Sequence, residues 1–306
     1  KATSTYSQYG NTFDRWGRRY FCANRNPIMT TMLPASAVGR NPFHTIAKAY
    51  VDIAPFGGET RVYPLAKMKS NHLSHNDTHT SACGTTAYVG DQLGDGYEDS
   101  VFVCEPVGHL VTRSIVHELD GGLKAIRARP KADFLASSDT WFRPSSLANG
   151  PDGALYLADM YRLHVEHPKF FPADLIDSVD WRAGEDRGRI YRITRKGGRV
   201  RKFQPPTTTA DAVELLEDPN GWRRYLGQRL LVEKMDVSAG TALGELLNSN
   251  RSETRLHALW TLDGIGRLKD SQLRHLLKDR DVHVRGDAVK LAGQRLGKHP
   301  DLLTQL

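Results

Sequence analysis

The chain has 306 residues, with 42 Lys and Arg against 35 Asp and Glu, 27 Gly, 15 Pro and only 3 Cys. Its 39 % apolar content is that of an ordinary globular protein and excludes collagen, wholesale disorder and a disulfide-stapled miniprotein. Four of the seven excess positive charges fall in residues 1–200 and three in 201–306, so no basic stripe of the kind that grips nucleic acid is expected. No window approaches the ~18 consecutive apolar residues of a membrane span. The first residue is Lys, and neither a signal peptide nor a cleavage site follows it, so the sequence reads as a piece of a longer chain.

Residues 1–200 hold 11 of the 15 prolines and many Gly, Asp and Asn turns between short aromatic and β-branched runs, which predicts strands and turns. Three segments share one pattern, an aromatic opening a short apolar strand that ends in a polar or acidic residue. They are Phe21–Asn24, Phe102–Glu105 and Tyr156–Asp159. Each is preceded by a turn, of which Gly150-Pro151-Asp152-Gly153 is the clearest, because Pro presets φ and Gly supplies a positive φ. Further strands are expected in 108–113 and 188–193. The intervals of 81 and 54 residues between the strand ends exceed one propeller repeat, so loops are inserted, 34–75 most obviously. Repeated units of this kind predict incomplete β-propeller blades of four antiparallel strands, with an irregular β-sandwich as the alternative.

The composition changes at Gln204–Thr209, where prolines end the strand pattern and a Thr run offers a helix N-cap. Beyond it Arg224, Arg255 and Arg285 recur at spacings of 31 and 30, each after an Asp/Asn-rich turn and three residues before Gly227, Ala258 and Ala288. The expected fold class is therefore mixed: partial propeller blades over 1–200 and an all-α solenoid over 201–306, its repeat still running at the last residue. Asp279–Ala288 resembles a HEAT repeat, and the arginines are expected to bond within or between repeats.

The candidates for chemistry carry alternatives. His72, His75 and His79 lie within eight residues and are either metal ligands or bases, or solvated loop histidines; His79 leads directly into a strand. Asn24, Glu105 and Asp159 end equivalent strands, where each either lines a channel rim or caps a turn. Arg143, Arg162, His164 and His167 flank the Gly-Pro-Asp-Gly turn. Such an Arg either binds an anion bidentately or pairs with Asp159, and such a His can accept a hydroxyl proton. Cys22, Cys83 and Cys104 show neither CxxC nor CxxCH spacing; they are buried strand thiols, or two of them pair if the protein is exported.

The stretches Phe134–Pro144, Gly150–Arg162 and Asp186–Ile193, together with His79–Gly84 and Phe102–Pro106, resemble the membrane-bound dehydrogenase-type propellers of planctomycetes and verrucomicrobia. Those are similar to the glucose/sorbosone dehydrogenase and soluble quinoprotein sugar dehydrogenase propellers, and the resemblance covers essentially the whole chain. It implies oxidation of a sugar or related alcohol outside the cytoplasm, with pyrroloquinoline quinone and Ca²⁺ as cofactors and a c-type cytochrome accepting the electrons. This chain has no haem motif of its own. On that reading His79, Arg143 and His167 are catalytic, Arg162, Asp159 and Glu105 hold the cofactor, and no metal ligand is assigned. The rival expectation is a non-catalytic scaffold that binds a glycan or protein partner.

Overall fold

The computed structural model describes residues 7–33, 38–40, 43, 48–67, 76–119, 122–165, 176–198, 201–297 and 299–305. The chain divides into two compact units, one comprising residues 1–150 and 154–198, the other 151–153 and 199–306.

The first unit is built of antiparallel sheets in which strands consecutive in sequence pair with one another. The first sheet contains β1 (Asn11–Phe13), β2 (Arg19–Ala23), β3 (Asn26–Thr31) and β4 (Tyr50–Asp52). The second contains β5 (Cys83–Ala87), β6 (Ser100–Glu105), β7 (Leu110–Leu119) and β8 (Gly122–Arg127), with β9 (Leu135–Ala136) also paired to the start of β7. The third contains β10 (Pro144–Asn149), β11 (Leu155–Asp159) and β12 (Arg189–Ile193). The inserted loop expected over 34–75 contains β4. The Met32 amide donates to the Ala49 carbonyl at 2.9 Å, and residues 50–52 then pair with β3.

The leading strands of the three sheets lie side by side. Gly84 in β5 donates to the Tyr9 carbonyl at 2.7 Å and Ala87 to Thr12 Oγ1 at 3.1 Å, while Thr86 Oγ1 donates to the Leu147 carbonyl in β10 at 3.1 Å. The approach is close enough to need glycine at residue 84: φ there is +60°, and a Cβ would stand 2.9 Å from the Ser145 carbonyl oxygen. Apolar faces fill the space between sheets. Tyr20, Ile28 and Ile53 pack with Val101, Val103 and Val116, and Phe102, Cys104 and Val111 pack with Phe142, Leu147, Leu155 and Leu157. At about 25 cal/mol per Å² of buried apolar surface, these clusters are the main source of the unit's stability.

The second unit holds six α-helices among the described residues, arranged as three short–long pairs. These are α1 (Thr209–Glu214) with α2 (Gly221–Glu233), α3 (Gly240–Leu246) with α4 (Ser252–Gly264), and α5 (Asp270–Leu276) with α6 (Val282–Arg295). The long helices pack in series, α2 on α4 and α4 on α6. Thr208 starts α1 through a capping box, its Oγ1 accepting the Asp211 amide at 3.1 Å while Asp211 Oδ2 accepts the Thr208 amide at 2.9 Å.

The recurrent arginines each bind the turn before their own helix. Arg224 Nη1 donates to the Asp218 and Pro219 carbonyls, Arg255 Nη1 to Ser249, and Arg285 Nη1 to Asp279. These bonds tie each long helix to the turn before it, which gives a spacing of about thirty residues a structural cause.

Candidate functional site

Glu105, the last residue of β6, is wholly buried, and a buried carboxylate must be surrounded by donors. The donors come from the segment that leads into β5. Glu105 Oε2 accepts the backbone amides of Thr80 and Ser81, each at 3.0 Å, and lies 3.1 Å from His79 Nδ1; Oε1 accepts Ser81 Oγ at 2.6 Å. Burial pushes the Glu105 carboxyl up, but the hydrogen bonds from His79 and Ser81 outweigh it and hold the group below the usual carboxylate range. Glu105 is therefore ionised at neutral pH.

An ionised acceptor at Nδ1 assigns the tautomer of a neutral His79: Nδ1 carries the proton and Nε2 the lone pair. His79 is 3 % exposed, and its backbone amide is anchored on Thr60, 2.9 Å from Oγ1. Thr112 Oγ1 lies 3.5 Å from Nε2, at the outer limit of a hydrogen bond, and is also within 3.4 Å of the Val103 carbonyl. His79 also lines a cavity of about 220 Å³ walled by Pro27, Ile28, Ala54 and Pro55 from the first sheet's side and by Thr112, Ser114, Lys124 and Arg127 from β7 and β8. The arrangement can accept a proton at Nε2, with the resulting imidazolium stabilised by Glu105.

The third sheet repeats the motif with different chemistry. Asp159 ends β11, and its Oδ1 accepts the amides of Arg143 and Tyr161, both at 2.8 Å, so it holds the residues around the start of β10 as Glu105 holds those before β5. In the first sheet Asn24 acts through its backbone, its carbonyl accepting the Ala82 amide at 2.9 Å. The Arg143 guanidinium, 8 % exposed, makes no hydrogen bond to Asp159. It donates from Nε to the Arg162 carbonyl at 2.9 Å, from Nη1 to Pro106 at 2.9 Å and from Nη2 to Leu163 at 2.6 Å. Burial lowers its pKa to about 10, which leaves it charged at neutral pH. Arg162 is half-buried, and its Nη1 donates to the Arg182 carbonyl at 3.1 Å.

The structure thus brings His79 and Glu105 together and ties Arg143 to the turn after Glu105. It places Asp159 in a separate cluster with Arg143, and His164 against Trp181. His167, like His72 and His75, lies outside the described residues. His109, which sequence reasoning did not single out, sits near Arg143 at φ +57°, its Nδ1 3.0 Å from the Phe142 carbonyl; burial and then the Arg143 charge push its pKa down. Thr60 and Thr112 were also missed, since each is brought to His79 by the fold from a distant part of the chain. Ser81, two residues after His79, was not singled out either. Among the described residues no three His, Cys, Asp or Glu side chains come together to hold a metal. Arg143, Asp159 and Glu105 are each hydrogen-bonded to the chain itself.

Antiparallel sheets in one unit and paired helices in the other define a mixed protein of two units, and no helix among the described residues is long and apolar enough to cross a membrane. A family model described as a domain of unknown function (DUF7133) matches residues 1–197, and the chain belongs to that family. No curated protein and no solved structure matches it.

Proposed function

We propose that the first unit is part of a dehydrogenase-like β-propeller in which His79 accepts the proton of a substrate hydroxyl, and that the second is a HEAT-like solenoid. The propeller reading is supported by three meanders of antiparallel strands whose leading strands β1, β5 and β10 neighbour one another, as blades do around a channel. The solenoid reading is supported by three short–long helix pairs with their long members in series.

The observation that carries the activity is the buried Glu105 carboxylate 3.1 Å from His79 Nδ1, which leaves Nε2 as the acceptor of a histidine that lines a cavity of about 220 Å³. Sugars or related alcohols are the proposed substrates. The electron acceptor, pyrroloquinoline quinone with Ca²⁺ passing electrons to a c-type cytochrome outside the cytoplasm, rests on the sequence resemblance alone. A second reading, a scaffold for a glycan or protein partner, is favoured by one observation: the guanidinium of Arg143 is held by three backbone carbonyls rather than presented to a ligand.

Dye-linked turnover of the full chain with quinone and Ca²⁺ against a panel of sugars and alcohols separates the two. The first reading expects turnover that falls by roughly 10²–10⁴ in His79→Gln, the range for loss of a general base. No turnover on any substrate, or a His79→Gln variant as active as the wild type, refutes it.

A further inference from the structure

Cys83 and Cys104 are partners across the antiparallel β5–β6 pair. Directly opposed residues in such a pair point to the same face of the sheet, with Cα atoms about 4.5–5.5 Å apart. That separation falls within the about 4.4–6.8 Å that a disulfide spans without backbone movement. The side chains share one cluster with Phe102, Leu147 and Leu155. Both are free thiols, Cys104 fully buried and Cys83 partly exposed. Cys22 differs. It belongs to β2 in the neighbouring sheet, and its thiol is directed to the Ala82 carbonyl at 3.6 Å.

We propose that Cys83 and Cys104 are a thiol–disulfide couple that clamps the lead-in of β5 to the end of β6. The oxidant is a disulfide, either glutathione disulfide or the disulfide form of a thiol oxidoreductase. The accessible Cys83 thiolate attacks one of its sulfurs, the oxidant's S–S bond breaks, one thiolate leaves, and a mixed disulfide forms. Cys104 then gives up its proton and attacks Cys83 Sγ, expelling the second thiolate. Two protein thiols become one disulfide, and the oxidant takes up two electrons and two protons as two thiols.

The bond would join covalently what Glu105 joins by hydrogen bonds, because Cys104 immediately precedes Glu105 and His79–Ser81 lie two to four residues before Cys83. The couple itself stands on strand register. Its consequence, that oxidation fixes His79 against Glu105, rests on the proposed role of His79.

The test equilibrates the full folded chain with glutathione disulfide or with dithiothreitol, quenches in acid, alkylates free thiols and maps the peptides. No Lys or Arg separates the two cysteines, so the digest uses a glutamyl endopeptidase, whose cuts after Glu59, Glu98 and Glu118 place them on different peptides, the bond after Glu105 being protected by Pro106. The expected result is peptide 60–98 linked to 99–118 in the oxidised sample only, with Cys22 alkylated in both, and the same link in Cys22→Ser but not in Cys104→Ser. Equal alkylation of all three cysteines under oxidant, or linkage of Cys22 instead, overturns the couple. The link in a protein with no dehydrogenase turnover upholds the couple and defeats the proposed activity; turnover without the link does the reverse.

Discussion

His257 makes the helical unit sensitive to mild acid, and the size of the effect follows from its surroundings. The residue lies on α4, 3 % exposed, with Nδ1 2.6 Å from Gln228 Oε1 on α2 and the ring edge-on to Tyr225 at 4.9 Å. The Gln228 oxygen assigns the proton to Nδ1. Nε2 is buried without a hydrogen-bond partner, so a proton placed there would have nothing to bind it. Burial, and then the charge of Arg224, push the pKa down to about 3.

In the unfolded chain the same imidazole titrates near its ordinary value of about 6.5, so below that pH the unfolded state binds a proton that the folded state refuses. Stability is full above about pH 6.5 and falls as the pH drops, by about 1.4 kcal/mol per unit until the folded pKa is reached. At pH 5 the loss is about 2 kcal/mol. Carboxylates with lowered pKa values, such as Asp279 and Asp281, begin to add their own losses only nearer their unfolded pKa of about 4, while His109 and His164, also lowered, add theirs within the window, so the His257 share is read as the difference between wild type and variant. Urea unfolding of the full chain, followed by far-UV circular dichroism at pH 7.5 and pH 5, measures it. His257→Leu should be less stable at pH 7.5, because Gln228 loses its partner, but should lose about 2 kcal/mol less between the two pH values than the wild type. Equal losses in the two proteins would refute the reasoning.

Arg255 donates from Nε and Nη2 to both oxygens of Asp279 at 2.7 and 2.6 Å, with both side chains buried. Arg255→Ala should therefore cost about 3–5 kcal/mol in urea unfolding, since it strands a buried carboxylate, and a cost under about 1 kcal/mol would show the pair to be unimportant. Gly227 lies inside α2, where alanine normally adds about 1 kcal/mol of helix propensity. Here a Cβ would stand 2.5 Å from the Ala212 carbonyl oxygen, so Gly227→Ala should destabilise by about 1–3 kcal/mol, and a rise in the thermal midpoint would contradict the packing. Glu105→Gln keeps the shape of the side chain but removes the charge that holds the Nδ1–H tautomer of His79. Any turnover should therefore fall in the variant, and turnover equal to the wild type's would refute the pairing.

The strands that lead to the site were legible because they are short apolar runs between turn residues, and their acidic ends stood out. The length of β7 was not. The apolar run breaks at Arg113 and Ser114, where a reading by hydropathy stops, yet the strand continues to Leu119. Arg113 stays in it by laying its guanidinium over the Tyr97 ring at 3.8 Å and bonding Ser100 Oγ through Nε. Within the site, His79 and Glu105 were each identifiable, but their meeting depends on the register that sets Cys83 opposite Cys104. Arg143 illustrates the opposite case. Its type and position suggested an anion site, while its actual acceptors are backbone carbonyls, which carry no side-chain signature in a sequence.

His79, when neutral, keeps its proton on Nδ1 for Glu105 and holds the lone pair on Nε2, with Thr112 Oγ1 3.5 Å away. Nitrogen-detected NMR of the histidine side chains at about pH 8, where an ordinary imidazole is neutral, with His79 assigned by comparison with His79→Gln, tests this directly. The expected result is a protonated Nδ1 in a hydrogen bond that disappears in Glu105→Ala, which removes the acceptor, together with an unprotonated Nε2. A proton found on Nε2 would contradict it.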